Sequence, residues 1–209
     1  MTIHKLKSIL AEEDLEGLAE MPAAPPDPIE LPPSLRRIVL TGFMGAGKST
    51  VGRLLAARLG WTFLDLDNHL ESRAGLTVPE IFALHGEPHF RRLESSALAS
   101  ALGCPNTVIA LGGGTPELLT NRLLLEQTPG TVTIFLDAPF PVLFDRCVLQ
   151  EISRPILADP AAAQLRFEQR HPHYRRLAQH TVDTSSSDLT PGATVDAVLA
   201  ALKPTSKHR

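Results

Sequence analysis

The chain has 209 residues, 43% of them apolar and 21% charged, a make-up that fits one sizeable folded α/β domain and excludes a disordered or fibrous chain. A formal net charge of -3 excludes a general nucleic-acid surface, so any anion must be bound locally. The two cysteines, Cys104 and Cys147, lack metal-ligand spacing and cannot build a disulfide framework, which points to the reducing cytoplasm.

Residues 1–35 read as an appendage. Ile9, Leu10, Leu15 and Leu18 give a partial apolar stripe on a short acidic helix, and prolines then crowd residues 22–33 as in an extended linker. Acidic residues at Glu12, Glu13, Asp14 and Glu16 stand where a secretory leader would carry its small-residue cleavage site. No apolar run approaches the ~20 residues of a membrane span.

From Arg36 to Lys203 short apolar runs alternate with longer helical ones. Ile38–Thr41 predicts a strand, Lys48–Leu59 a helix stopped by Gly60, and Thr62–Asp67 a second strand. A helical stretch follows, with Thr77 and Glu80 spaced as a capping box. Thr107–Leu111 and Thr131–Leu136 are strands of the buried type, His180–Thr184 is a more polar one, and Val195–Leu202 closes the domain as a helix. This alternation predicts a three-layer α/β/α domain around a mostly five-stranded parallel sheet.

Between the first strand and the first helix, Gly42–Phe–Met–Gly–Ala–Gly–Lys48–Ser49 matches the phosphate-binding loop G-x-x-x-x-G-K-[ST] in the context that motif requires. Gly45, Ala46 and Gly47 can turn successive N–H groups onto phosphates, reinforced by the helix N-terminus that begins at Lys48, Ser49 and Thr50. Lys48 supplies charge to the β- and γ-phosphates, and Ser49 a hydroxyl for Mg²⁺. Such a loop serves ATPases, GTPases and kinases alike, so it leaves the phosphoryl acceptor unnamed.

Five further groups lie beyond the loop. Asp65 and Asp67, placed two apart on the second strand, would share one face at its carboxyl end; solvated acids or a helix cap are the plainer alternative. Arg91 and Glu94 are helix neighbours at i,i+3, either a solvated helix face or a stiff fork suited to a carboxylate. Gly112, Gly113 and Gly114 follow the third apolar strand, either as a flexible turn or as backbone open to a ligand's close approach. Arg154, before Pro155, lies on a segment that could close over ATP as a lid. Arg170 is either a second carboxylate-binding charge or a solvated one.

Together, in order, G-F-M-G-A-G-K-S, L-D-L-D, H-G-E-P-H-F-R-R-L-E, L-G-G-G-T, S-R-P-I-L and R-x-x-x-Y-R-R-L-A resemble the shikimate kinase family from about Arg36 to Leu202. The resemblance implies a P-loop kinase with a mobile lid, using ATP and Mg²⁺ to phosphorylate shikimate on the route to chorismate and the aromatic amino acids. It implies that Asp67 binds and orients the reacting hydroxyl, that Arg91 and Arg170 clamp the carboxylate, and that Gly113 and Gly114 contact ring hydroxyls through backbone. By the same resemblance Ser49 and Asp65 serve Mg²⁺, Arg154 reaches the phosphates, and Arg146 and Pro155 lie beside adenine. A cytoplasmic monomer acting on small molecules is the expectation, with neither nucleic acid nor membrane as partner. Two departures stand out: the segment Cys147–Ser153 is slightly longer than the family's spacing, and Ser185–Ser187 replaces a basic residue that some members present to adenine. A gluconate-type kinase, or a regulator of the same fold without catalysis, remains as an alternative. Intact Lys48, Ser49, Asp67 and Arg154 count against the regulator, as does an appendage too short and proline-rich for a helix-turn-helix.

Overall fold

A computed structural model describes residues 29–149, 159–186 and 189–203. In chain order these form β1 (Arg37–Thr41), α1 (Lys48–Leu59), β2 (Thr62–Asp65), α2 (Leu66–Ala74), α3 (Val78–Leu102), β3 (Thr107–Ala110), α4 (Leu119–Gln127), β4 (Thr131–Asp137), α5 (Phe140–Leu149), α6 (Pro160–Leu177), β5 (His180–Asp183) and α7 (Pro191–Leu202). A single 3₁₀ turn, Thr115–Glu117, stands between β3 and α4. The strands lie in the order β2-β3-β1-β4-β5, and every neighbouring pair is parallel.

Alternation along β1 shows how the layers arise. Ile38 and Leu40 enter a core shared with Val51 and Leu55 of α1 and Val198 of α7. Val39 points the opposite way, into a core with Leu70 of α2, Leu98 of α3 and Leu125 of α4. A strand buried on both faces needs helices on both, which is the three-layer arrangement expected of this alternating pattern. Just before Arg36, Leu35 is buried and Ile29 and Leu31 pack on the first core. The helical proposal for residues 1–20 lies outside the described residues, as does most of the proline-rich run.

Local signals fix the helix ends. Gly60 takes the left-handed conformation that stops α1, and Thr77 and Glu80 form the reciprocal capping box that starts α3. Within α3, Gly86 leaves helical geometry at φ 74°, ψ 174°, and Pro88 follows it. The helix is therefore two segments joined at a break, since a proline fits a first turn and interrupts an interior one.

One expectation needs correcting. β2 ends at Asp65, and Asp67 already stands in the first turn of α2. The side chain of Asp65 caps that helix, accepting from the Asp67 N–H at 3.2 Å. The two carboxylates therefore do not share a strand face by period-two geometry. The cap ends the strand, a local backbone hydrogen bond winning over a continued extended run.

Candidate active site

Because the strands are parallel, the carboxyl ends of β1, β2 and β3 lie along one edge, and each leads into a functional segment. β1 runs into the phosphate-binding loop, β2 into Asp65 and Asp67, and β3 into the triple glycine. Such an edge is where open parallel sheets form their ligand crevice. A cleft of about 420 Å³ opens there, lined by Gly45, Gly47, Lys48, Ser49, Thr50, Asp65, Asp67, Arg91, Gly112, Gly113, Gly114 and Arg170. Sequence reasoning had singled out every one of these. Met44, Val78, Phe82, Phe90 and Leu111 supply apolar walls.

The phosphate-binding loop is built as its motif requires. Gly45 and Gly47 adopt φ of 77° and 85°, conformations that a residue with a side chain reaches only with strain. At Gly45 a Cβ would also stand 2.4 Å from the Leu143 carbonyl oxygen of α5. Lys48 Nζ donates to the carbonyls of Gly42 and Phe43 at 2.8 and 2.9 Å, which holds the ammonium over the loop. Ser49 Oγ donates to Asp65 Oδ2 at 2.7 Å, joining the two residues for which the family resemblance implies a metal role.

At the other end of the cleft two arginines meet. Arg91 Nη1 donates to Glu94 Oε2 at 2.9 Å. Glu94 is 1% exposed and also accepts from Thr115 Oγ1 at 2.7 Å. Burial pushes the Glu94 carboxyl above its usual range, against the downward pull of the Thr115 hydrogen bond and the Arg91 charge. Burial is the largest single influence on Arg91 and opposes its charge, but the Glu94, Glu87 and Glu117 carboxylates together outweigh it and hold the guanidinium above its ordinary value. From α6, Arg170 pairs through Nε with Glu117 Oε1.

Gly112 and Gly114 keep room here that a side chain would fill. None of Gly112, Gly113 and Gly114 has positive φ. A Cβ on Gly112 would lie 2.7 Å from Asp67 Oδ1, and one on Gly114 would lie 2.7 and 2.8 Å from the Arg91 Nη atoms and 3.0 Å from Arg170 Nη2. The carbonyl of Gly113 is fixed from below, accepting from the hydroxyl of fully buried Tyr174 at 2.5 Å. Burial drives that hydroxyl far above the ordinary tyrosine range, so it remains a proton donor.

A second cavity of about 470 Å³ lies on the far side of the loop, lined by Gly45, Ala46, Gly47, Thr50, Arg146, Thr184 and Ser185 among others. Arg146 Nη2 donates to the Thr184 carbonyl at 2.6 Å, tying α5 to the segment after β5. Arg154, Pro155 and Ser187 lie outside the described residues. Sequence reasoning missed Glu117 altogether. An acid three residues past a triple glycine has no spacing rule to flag it, and only the fold brings it to Arg91 and Arg170.

A parallel α/β sheet, a phosphate-binding loop at the end of β1 and an arginine-lined cleft beside it define a P-loop kinase of small molecules. The family profile described as Shikimate kinase matches residues 44–203. Among relatives, the shikimate kinase of Rhodopseudomonas palustris is 41% identical over 170 residues, covering 80% of this chain and 81% of that protein. That of Salinibacter ruber is 36% identical, covering 90% of this chain and 98% of its own length. The solved structure of the Acinetobacter baumannii enzyme in complex with shikimate superposes with a TM-score of 0.70 at 34% identity, covering 80% of this chain and 91% of that one. The chain belongs to the shikimate kinase family.

Proposed function

We propose that this protein transfers the γ-phosphoryl group of ATP to the 3-hydroxyl of shikimate, giving shikimate 3-phosphate and ADP. The observation that carries the acceptor is the convergence of Arg91 and Arg170 over Gly114, within 3.0 Å of one point. Two guanidinia focused on one spot suit a planar carboxylate, which each can grip through paired N–H groups. Asp67, beside Gly112, lies where a ring hydroxyl would sit, and its carboxylate accepts that hydroxyl's hydrogen bond and aims the oxygen at the γ-phosphorus. Backbone at Gly113 and Gly114 approaches the remaining hydroxyls.

Phosphoryl transfer asks mostly for positioning and charge neutralisation. Lys48 supplies charge at the β/γ bridge, and N–H groups of Gly45, Ala46, Gly47, Lys48, Ser49 and Thr50 receive phosphate oxygens. Among the described residues no group of three or more His, Cys, Asp or Glu side chains forms a metal cage. That suits Mg²⁺, which is commonly held by one or two protein oxygens together with substrate phosphates. Ser49 Oγ and Asp65 Oδ2, in contact at 2.7 Å, fit that need, and the ion would neutralise phosphate charge. Arg146, lining the second cavity, would flank adenine.

A coupled ADP-release assay with shikimate, quinate and gluconate as rival acceptors tests the reading. Turnover should require shikimate, and activity with gluconate alone would overturn it. Tight shikimate binding without turnover would favour the regulator instead.

A further inference from the structure

We propose that Glu117 is a resident carboxylate of the arginine pair, exchanged for the carboxylate of the acceptor, and that it thereby sets how strongly the enzyme prefers carboxylated acceptors. The proposal rests on the reading of Arg91 and Arg170 as the carboxylate clamp. Glu117 bridges the two: Oε1 pairs with Arg170 Nε, and Oε2 lies 3.3 Å from Arg91 Nη2. One carboxylate with an oxygen on each guanidinium is the arrangement that an acceptor carboxylate would itself adopt.

Of the carboxylates around Arg91, Glu117 is the one that also reaches Arg170 and still has a way out. Glu94 is buried and held from two sides, by Arg91 and Thr115. Glu87 sits one turn before Arg91 on the same helix and is more than half exposed, but among the described residues it reaches only Arg91, through Nε and Nη2. Glu117 keeps 30% of its side chain exposed, so a route to water is open. Its backbone stays in place meanwhile, because Arg122 Nη1 donates to the carbonyls of Pro116 and Glu117 at 2.6 and 2.9 Å. The side chain can swing while the turn remains.

Charge favours exchange over simple addition. Against Arg91 and Arg170 stand three carboxylates, Glu87, Glu94 and Glu117, a balance already on the negative side. An acceptor carboxylate that displaced Glu117 would preserve that balance, whereas one that joined it would place two anions side by side on a shared pair of cations. An acceptor without a carboxylate would leave Glu117 where it is and gain nothing from the arginines.

The test compares Glu117→Gln with the parent enzyme, measuring shikimate binding by calorimetry. The probe for contrast is the same ring polyol with its carboxylate reduced to a primary alcohol. Glutamine keeps the shape and an acceptor oxygen but loses the charge. Shikimate should bind roughly three- to tenfold more tightly to the variant, with no gain for the alcohol. Glu117→Ala should show the same selectivity if the glutamine variant folds poorly. Equal or weaker shikimate binding by a variant of unchanged melting temperature would overturn the proposal, assigning Glu117 to holding the arginines for the substrate. Equal gains for both ligands would overturn it too. Arg91→Ala, run in parallel, separates the two readings. Undiminished shikimate binding there would remove the clamp and this proposal together, while a loss there with no gain in Glu117→Gln would remove the exchange alone.

Discussion

Individual residues of the acceptor end act through one another. Arg91 is aimed by buried Glu94, Glu94 by Thr115 and Gly113 by Tyr174, so the geometry at the cleft is set by groups beneath it. Gly114 offers the sharpest test of this. A Cβ there would meet the Arg91 and Arg170 guanidinia, the far ends of flexible side chains, and would not meet backbone. Gly114→Ala should therefore fold with nearly the parent's melting temperature. Its KM for shikimate should rise roughly tenfold or more, since displacing a bidentate contact costs on the order of 1.5–3 kcal/mol. Steady-state kinetics together with thermal melting check both halves. The residues legible from sequence at this scale carried their own local warrant: Lys48 stands in a loop of fixed spacing, and Arg91 and Glu94 are helix neighbours. Glu117 had no such warrant. Its partners lie 26 residues before it and 53 after it, a relation that only the folded sheet creates.

At the level of elements, the strand–loop–helix order was readable because β-branched runs and capping residues speak locally, as the capping box of α3 does. The end of β2 was not, because Leu64–Asp65–Leu66–Asp67 alternates like a strand while Asp65 is already capping α2. The packing of α2 on α3 carries a pH dependence of its own. His69 of α2 contacts Ser100 Oγ of α3 at 3.4 Å, and Arg73 Nη1 donates to the same hydroxyl at 3.1 Å. Burial first, then the charge of Arg73, holds the His69 pKa below 6.5. The sign follows from linkage. Well above about pH 6.5 the imidazole is neutral in both folded and unfolded chains and contributes no pH dependence. As pH falls through that value the unfolded chain takes up the proton first, so stability is lost until the folded-state pKa is passed. Thermal melting from about pH 7.5 to 5.5 should thus show a smaller decline for His69→Gln than for the parent. An equal decline would place the acid sensitivity elsewhere.

Across the whole molecule, the acceptor cleft and the second cavity meet at the phosphate-binding loop: Gly45, Gly47 and Thr50 line both. The loop also presses directly on α5, where Gly45 leaves no room for a Cβ against Leu143. Arg146, on that same helix, reaches the carbonyl after β5. A nucleotide that ordered the loop from one side would therefore alter the wall that an acceptor meets on the other. Two ligands that both stabilise one arrangement of a shared wall must help each other, and the help is reciprocal by linkage. Saturating Mg-ADP should lower the Kd for shikimate roughly fivefold, and saturating shikimate should lower the Kd for Mg-ADP by the same factor. Calorimetric titrations in both orders measure the two factors. Unequal factors would mean that the titrations had not reached equilibrium. Factors of one in both orders would mean that the loop is rigid before either ligand arrives, and that the two cavities recognise their ligands independently despite the three residues they share.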